Sequence, residues 1–350
     1  MNILAIGVMS GTSLDGIDIA LCRFSYSENV WRYEIIEAQT FEYTPIWIEK
    51  ITDAPHLKAD EFLILNNEYG RYTGELINDF LRGQEIPQLI ASHGHTIFHQ
   101  PDKKFTFQLG NGASIAATTQ ITTVSDFRNF DVALGGQGAP LVPIGDQLLF
   151  PEFDFCLNIG GFANISYKQD DVRIAFDLAP ANIILNELAR QKGFAFDKDG
   201  NLGSLGTINN SLLNKLNNLD FYKQKKPKSL GREWVDNHII PLLTTSALTI
   251  EDQAATLYEH ISFQISKVIG NSGKLLATGG GSKNRFLIDK LKQKTSCQII
   301  LPDEKLIDFK EALIFALLGV LSFNGQINVY SSVTGSLQDH SGGVIHKIKN

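Results

Sequence analysis

The chain has 350 residues, 43% hydrophobic and 20% charged, with a formal net charge of −7. That length predicts two domains in a globular protein, and the acidic balance argues against a nucleic-acid binder, which carries a basic footprint. No apolar stretch reaches the ~18 residues of a membrane span, so neither membrane nor nucleic acid is an expected partner.

The run Ile3 to Met9 has no basic residue before it and no cleavage-like site after it, so it reads as a buried first strand rather than a signal peptide. Residues 2–43 predict three strands in a meander, with turns at 12–16 and 26–29. Residues 60–82 carry Phe62, Leu65, Tyr69, Tyr72, Leu76, Ile77 and Phe80 at helical spacing. Short β-type runs follow at 89–92, 105–109 and 122–126, with a short helix expected over 110–119. Strands alternating with helices favour a largely parallel sheet. The glycine-rich stretch from Ala133 to Pro140 suits neither strand nor helix and is the expected inter-domain crossing. Beyond it, helices are expected over 181–191, 251–270 (capped by Thr249), 285–294 and 311–321, and a buried strand over 275–278. Cys22, Cys156 and Cys297 lie far apart in apolar runs and read as reduced core residues of a cytoplasmic protein.

One unit occurs twice. Apolar residues from Leu4 lead into Ser10-Gly11-Thr12-Ser13-Leu14-Asp15-Gly16-Ile17-Asp18; about half a chain later, residues from Phe155 lead into Asn158-Ile159-Gly160-Gly161-Phe162-Ala163-Asn164. Glycines let backbone approach an anion closely, and a run of backbone N–H groups makes an anion site. Two facing turns of this kind suggest a phosphate-handling cleft between two related domains. The acidic charge does not exclude ATP, whose phosphates can be held by backbone N–H groups and a divalent cation.

Other motifs weigh less. The 11–18 turn is no Walker loop, because no Gly-Lys-Ser/Thr follows, and Asp15 stands where a nucleophile elbow needs its second glycine. Its plain alternative is a hairpin turn. Gly279-Gly280-Gly281 follows a strand and opens a helix, but lacks dinucleotide-fold spacing; a nucleotide contact is the remaining role. His93, His95 and His99 form the one histidine cluster, with poor company for zinc; a polar substrate pocket is the better reading. The stretch from Asp197 to Asn201 fails as a calcium loop at Leu202 and Ile208. Asp177 ends a strand before a helix, where α/β ligands bind; Arg128 and Glu311 are similar isolated charges. By sequence alone each of the three reads as a structural charge before a functional one.

Together these residues resemble the anhydro-N-acetylmuramic acid kinase family, of the sugar kinase/heat-shock ATPase/actin superfamily. The resemblance spans nearly the whole chain. Besides the two turns it rests on His93-Gly94 with Thr96, Phe107-Gln108-Leu109-Gly110, Asp126-Phe127-Arg128, and Gly135-Gly136-Gln137-Gly138-Ala139-Pro140. Pro227-Lys228-Ser229 with Gly231-Arg232-Glu233, Thr278-Gly279-Gly280-Gly281 and Glu311-Ala312 complete it. It implies two ribonuclease-H-like (actin/hexokinase-type) α/β domains with a nucleotide cleft between them, at 1–130 plus 312–350 and at 131–311. It implies ATP-dependent conversion of 1,6-anhydro-N-acetylmuramic acid to N-acetylmuramic acid 6-phosphate in peptidoglycan recycling, by a cytoplasmic homodimer needing magnesium.

By the same matching Asp177 is the general base that activates water. Ser13, Thr96, Arg128 and Glu311 contact the sugar. Gly11, Thr12, Ser13, Leu14, Asp15, Gly16, Ile17 and Asp18, with Gly160, Gly161, Gly279, Gly280 and Gly281, hold ATP. The magnesium ligands stay open between Asp15 and Asp18. The chain departs from the family pattern at Leu178, Ala179 and Ala181, where threonine and glycines are usual, and at His95, where glutamine is usual. A non-catalytic or regulatory ATPase of the same superfamily, or a kinase for a related anhydro sugar, is the alternative.

Overall fold

The apolar run near the N-terminus becomes an interior strand of a mixed sheet. The computed structural model describes residues 1–11, 14–226 and 228–349. In it β1 (Asn2–Ser10) pairs antiparallel with β2 (Gly16–Ser27), and β2 antiparallel with β3 (Val30–Glu42). On its other side β1 pairs parallel with β4 (Leu89–Gln100). β4 also pairs antiparallel with β5 (Phe105–Leu109) and parallel with β6 (Thr123–Ser125). The C-terminal strand Val344–His346 joins β6 antiparallel.

A second sheet repeats the plan. β7 (Phe155–Ile159), β8 (Phe162–Gln169) and β9 (Val172–Pro180) form an antiparallel meander. β7 pairs parallel with β10 (Lys274–Thr278), and β10 parallel with β11 (Gln298–Ile300). The orders β3-β2-β1-β4-β6 and β9-β8-β7-β10-β11 are the same, with the same senses. Both are ribonuclease-H-like. The doubling visible in two glycine turns extends to five strands of each sheet; β5 and Val344–His346 are additions to the first.

Chain contacts give two units, Met1–Leu149 with Phe309–Asn350, and Phe150–Asp308. In the first, Ala5, Ile6 and Val8 of β1 are all buried, so both faces of that strand are covered. On one face the helix Ala59–Phe80 buries Leu65, Tyr69, Ile77 and Phe80. On the other the helix Glu304–Phe323 comes so close that a Cβ on Gly7 would sit 1.8 Å from the Ala312 carbonyl oxygen. A Cβ on Gly319 would likewise meet Ala91 Cβ at 2.4 Å. In the second unit the helix Ile250–Ile269 is capped by Thr249, whose side chain accepts from Asp252 N (3.1 Å), and carries Glu251 and Asp252 in its first turn. Tyr258, Ile261 and Ile265 from this helix pack with Leu157, Ile165, Leu185 and Leu275 in one core.

Several expectations change in the structure. The glycine-rich stretch is no crossing. Residues 131–149 lie in the first unit, which continues to Leu149. Asp131, fully buried, accepts from Gly138 N (2.6 Å) and Thr334 Oγ1 (2.7 Å), closing the stretch onto the C-terminal segment. A Cβ on Gly136 would lie 2.2 Å from the same carboxylate, so that glycine serves close packing. The last long helix begins at Glu304, earlier than expected, because Asp303 accepts from Leu306 N (2.8 Å) and starts it. Asp197 is no loose loop residue: its carboxylate accepts from Leu202 N (2.8 Å), Gly203 N (3.2 Å) and Tyr258 OH (2.9 Å). The three cysteines are buried free thiols.

Candidate active site

In the second unit, β7 and β10 run parallel with Asn158 opposite Thr278. The turns Gly160-Gly161 and Gly279-Gly280-Gly281 therefore leave the same carboxyl edge of the sheet from neighbouring strands, where α/β proteins take ligands. These five glycines divide by cause. Gly279 has φ +79°, and a Cβ there would meet Asn158 Oδ1 at 2.4 Å; one on Gly281 would meet Ile159 Cγ2 at 2.3 Å. The fold itself requires those two. A Cβ on Gly280 would meet nothing within 4 Å, and on Gly160 and Gly161 nothing nearer than 3.7 and 3.8 Å. Packing therefore does not account for the absence of a side chain at these three positions. The Gly160 and Gly161 carbonyls accept from Asn182 N (3.1 Å) and Ala181 N (2.8 Å), fixing the turn to the start of the helix Asn182–Gln191.

Asp177 stands on β9 opposite Asn164, beside a bulge in which Leu178 is the extra residue. Its backbone N–H donates to Lys228 O (3.0 Å), and its Oδ2 accepts from Leu230 N (2.8 Å). The 228–230 segment thus lies along β9 and fixes the carboxylate. Burial pushes that carboxyl up to about 6, against the pull of the Leu230 N–H. A base with that affinity is ionised at neutral pH yet accepts a proton readily.

The first unit gathers charges instead. Arg128 Nε donates to His93 Nε2 (2.9 Å), and Nη1 to Gly138 O (2.6 Å). His93 Nδ1 lies 2.8 Å from Gly94 O, which can only accept, so Nδ1 carries the proton and Nε2 offers its lone pair. Burial first, and then the Arg128 charge, hold His93 well below the usual imidazole range, so it is neutral. Burial lowers the Arg128 guanidinium to about 10, while Glu311 and Asp131 favour its charge. Burial raises the Glu311 carboxyl, with Lys310 and Arg128 pulling it down. Next to Glu311 in the chain, Lys310 pairs with Asp146 at 2.7 Å, both almost fully buried.

At the end of β1, Ser10 Oγ lies 2.8 Å from His95 Nδ1 and 2.6 Å from Tyr43 OH. Burial lowers His95 to about 4 and raises Tyr43 to about 12. Of the turn itself, Thr12 and Ser13 lie outside the described residues. Leu14 has φ 58°, and Leu14 N donates to Gly11 O at 3.4 Å. Asp18 Oδ1 accepts from Thr40 Oγ1 on β3 (2.6 Å). A Cβ on Gly16 would meet Phe41 O at 2.4 Å, so strand packing requires that glycine.

The family model for anhydro-N-acetylmuramic acid kinase matches residues 3–348. The chain belongs to the anhydro-N-acetylmuramic acid kinase family. It is similar to proteins of that name from Pseudomonas savastanoi pv. phaseolicola (34% identity, covering 96% of this chain and 97% of the relative) and Caldanaerobacter subterraneus subsp. tengcongensis (34%, 95% and 94%). A further relative of the same name, from Vibrio vulnificus, is 35% identical over 98% of each chain.

Within this anhydro-N-acetylmuramic acid kinase family member, Arg128 and Glu311 share one charged cluster of the first unit. Thr96 lies further along β4, its Oγ1 3.5 Å from Gln108 Nε2. The histidines do not converge as a cluster: His93 turns to Arg128, His95 to Ser10, and His99 to Thr106 Oγ1 (3.1 Å). Gly94, at φ +75°, breaks the alternation that would have put His93 and His95 on one face. The family departures Leu178, Ala179 and Ala181 are buried in the core of the second unit, and Ala181 has a negative φ of −123°. Sequence reasoning missed His93 as the partner of Arg128, and Asp131 altogether. The only local signal for Asp131 was the glycine-rich run that follows it.

Proposed function

We propose that this kinase transfers the γ-phosphoryl group of ATP to O6 of 1,6-anhydro-N-acetylmuramic acid while water opens the anhydro bridge. The products are N-acetylmuramic acid 6-phosphate and ADP, within peptidoglycan recycling. The match to the family over residues 3–348 is the observation that carries this reading.

The chemistry sets the roles. O6 of the anhydro sugar is an ether oxygen with no proton to lose. Water must attack C1, its proton passing to a base, while the C1–O6 bond breaks and O6 attacks the γ-phosphorus, releasing ADP. Asp177 is the base: its carboxyl, raised to about 6, is ionised at neutral pH and held by the Leu230 N–H. Arg128, Glu311, Thr96 and Ser13 are assigned to the sugar, the buried cationic Arg128 being suited to its carboxylate. Gly160, Gly161 and Gly280 are assigned to the nucleotide on their open space, and Gly279 and Gly281 as the frame that aims the turn. The hairpin Gly11, Thr12, Ser13, Leu14, Asp15, Gly16, Ile17, Asp18 is assigned to the phosphates.

Magnesium would arrive with the ATP phosphates and neutralise their charge. Among the described residues no group of three His, Cys, Asp or Glu side chains is arranged to hold a metal ion. That suits an ion ligated mainly by phosphate and water, with Asp15 or Asp18 in its outer shell. A homodimer working in the cytoplasm completes the reading; no helix among the described residues is long and apolar enough to cross a membrane.

A coupled ADP-release assay with and without the anhydro sugar tests it. Sugar-dependent ADP release is expected, with one phosphorylated sugar per ADP. Slow hydrolysis indifferent to the sugar would replace this reading with a regulatory ATPase.

A further inference from the structure

The Arg128 guanidinium is held from two sides. Its Nη1 donates to Gly138 O (2.6 Å), and its Nε to His93 (2.9 Å). The Gly138 peptide is itself anchored, because Gly138 N donates to Asp131 Oδ2 (2.6 Å). The other Asp131 oxygen accepts from Thr334 Oγ1 (2.7 Å) and His340 Nε2 (2.9 Å), both from the C-terminal segment. That segment also grips the loop backbone: Gln137 N donates to Thr334 O (2.8 Å), and Leu337 N to Leu134 O (3.1 Å). Asp131, Thr334 and His340 are almost fully buried.

We propose that Asp131, fixed by Thr334 and His340, is a positioning residue that sets the Arg128 guanidinium for the sugar through the loop peptide at Gly138. This rests on the reading of Arg128 as a sugar contact. A carboxylate suits the place because it only accepts, and three donors converge on it. An asparagine keeps the shape but turns one acceptor into a donor. With its oxygen toward Thr334 and His340, its NH₂ would face the Gly138 N–H. The two donors repel, the peptide moves, and its carbonyl leaves Arg128.

Steady-state kinetics on Asp131→Asn, Arg128→Lys and the double variant, with sugar and ATP varied separately, test this. Asp131→Asn is expected to raise KM for the anhydro sugar roughly ten-fold, with KM for ATP unchanged. Arg128→Lys raises it at least as much, and the double variant no more than Arg128→Lys alone. A structural role for Asp131 would instead lower the active fraction without separating the two KM values. If Arg128→Lys leaves the sugar KM unmoved, the reading of Arg128 fails and the proposal with it. If Arg128→Lys raises it while Asp131→Asn does not, or the effects add, only the proposal falls. Should Asp131→Asn not fold, Thr334→Val is expected to raise the sugar KM several-fold and Thr334→Ser, which keeps the hydroxyl, to restore it. Equal KM values for the Val and Ser variants would overturn the proposal.

Discussion

In the first sheet the strand after the meander, β4, carries buried His93 and His95 into a network of charges; in the second the equivalent strand, β10, is followed by three glycines. Both strands lie parallel beside the first strand of their meander. The order of the strands fixes where a ligand edge lies, and leaves open what stands on it. The two units have separate apolar cores, so residues at each edge can diverge without repacking the other. The first unit filled its edge with paired charges and hydrogen-bonded rings. The second kept bare backbone and one carboxylate of raised affinity for protons.

The sharpest way to break this contrast is Asp177→Asn. Turnover should fall by ~10²–10⁴-fold, while calorimetry finds ATP binding retained. Unchanged turnover would remove the second unit's claim to the base. The same variant should be more stable than the parent at pH 7.5. A carboxyl raised to about 6 in the folded state, against ~3.9 unfolded, contributes its stability in the protonated form, below the unfolded value, and loses it as pH rises through 6. The advantage should therefore shrink between pH 6 and 4 in thermal melts.

Lys310→Met probes the buried charges of the first unit. It leaves Asp146 buried without its cation and should cost about 3–5 kcal/mol in urea unfolding; a loss under 1 kcal/mol would mean the pair is dispensable. In the second unit, Gly279→Ala should lose roughly 1–3 kcal/mol, since φ is +79° and Asn158 stands in the way. Gly280→Ala should keep its stability within about 0.5 kcal/mol and raise KM for ATP several-fold. The reverse pattern would exchange the structural and ligand roles of the two glycines. The pH dependence tests the same carboxylate without a substitution: kcat/KM for the sugar should fall about tenfold per unit below pH 6 as Asp177 takes up its proton. A profile flat to pH 5 would place the titrating base elsewhere.

Much of this was readable from local pattern. The meander of residues 2–43 and the helix Ala59–Phe80 follow from apolar alternation and helical spacing, which burial of one face imposes directly. The place of Asp177 late in a strand before a helix was readable in the same way, its base role only as what the family resemblance implies. Its proton affinity was not, because that depends on burial and on Leu230, far along the chain. The run from Gly135 to Gly138 misled: glycines that admit a buried carboxylate look, in sequence, like glycines of a linker. Asp131 meets its partners about two hundred residues later, at Thr334 and His340, a separation that no local pattern records.

The second unit is one unbroken stretch, Phe150–Asp308, whereas the first is assembled from both ends of the chain. On the ribosome the middle of the protein therefore has all its parts before the beginning does. Met1–Leu149 must wait, its β1 lacking the helix that covers Gly7 and its Asp131 lacking Thr334 and His340, until the last residues emerge. Since domains generally fold as units, released chains truncated near residue 310 should resist protease across 150–308 and be cut throughout 1–149. Protection of the N-terminal part at that length would show that it holds its shape without its closing segment.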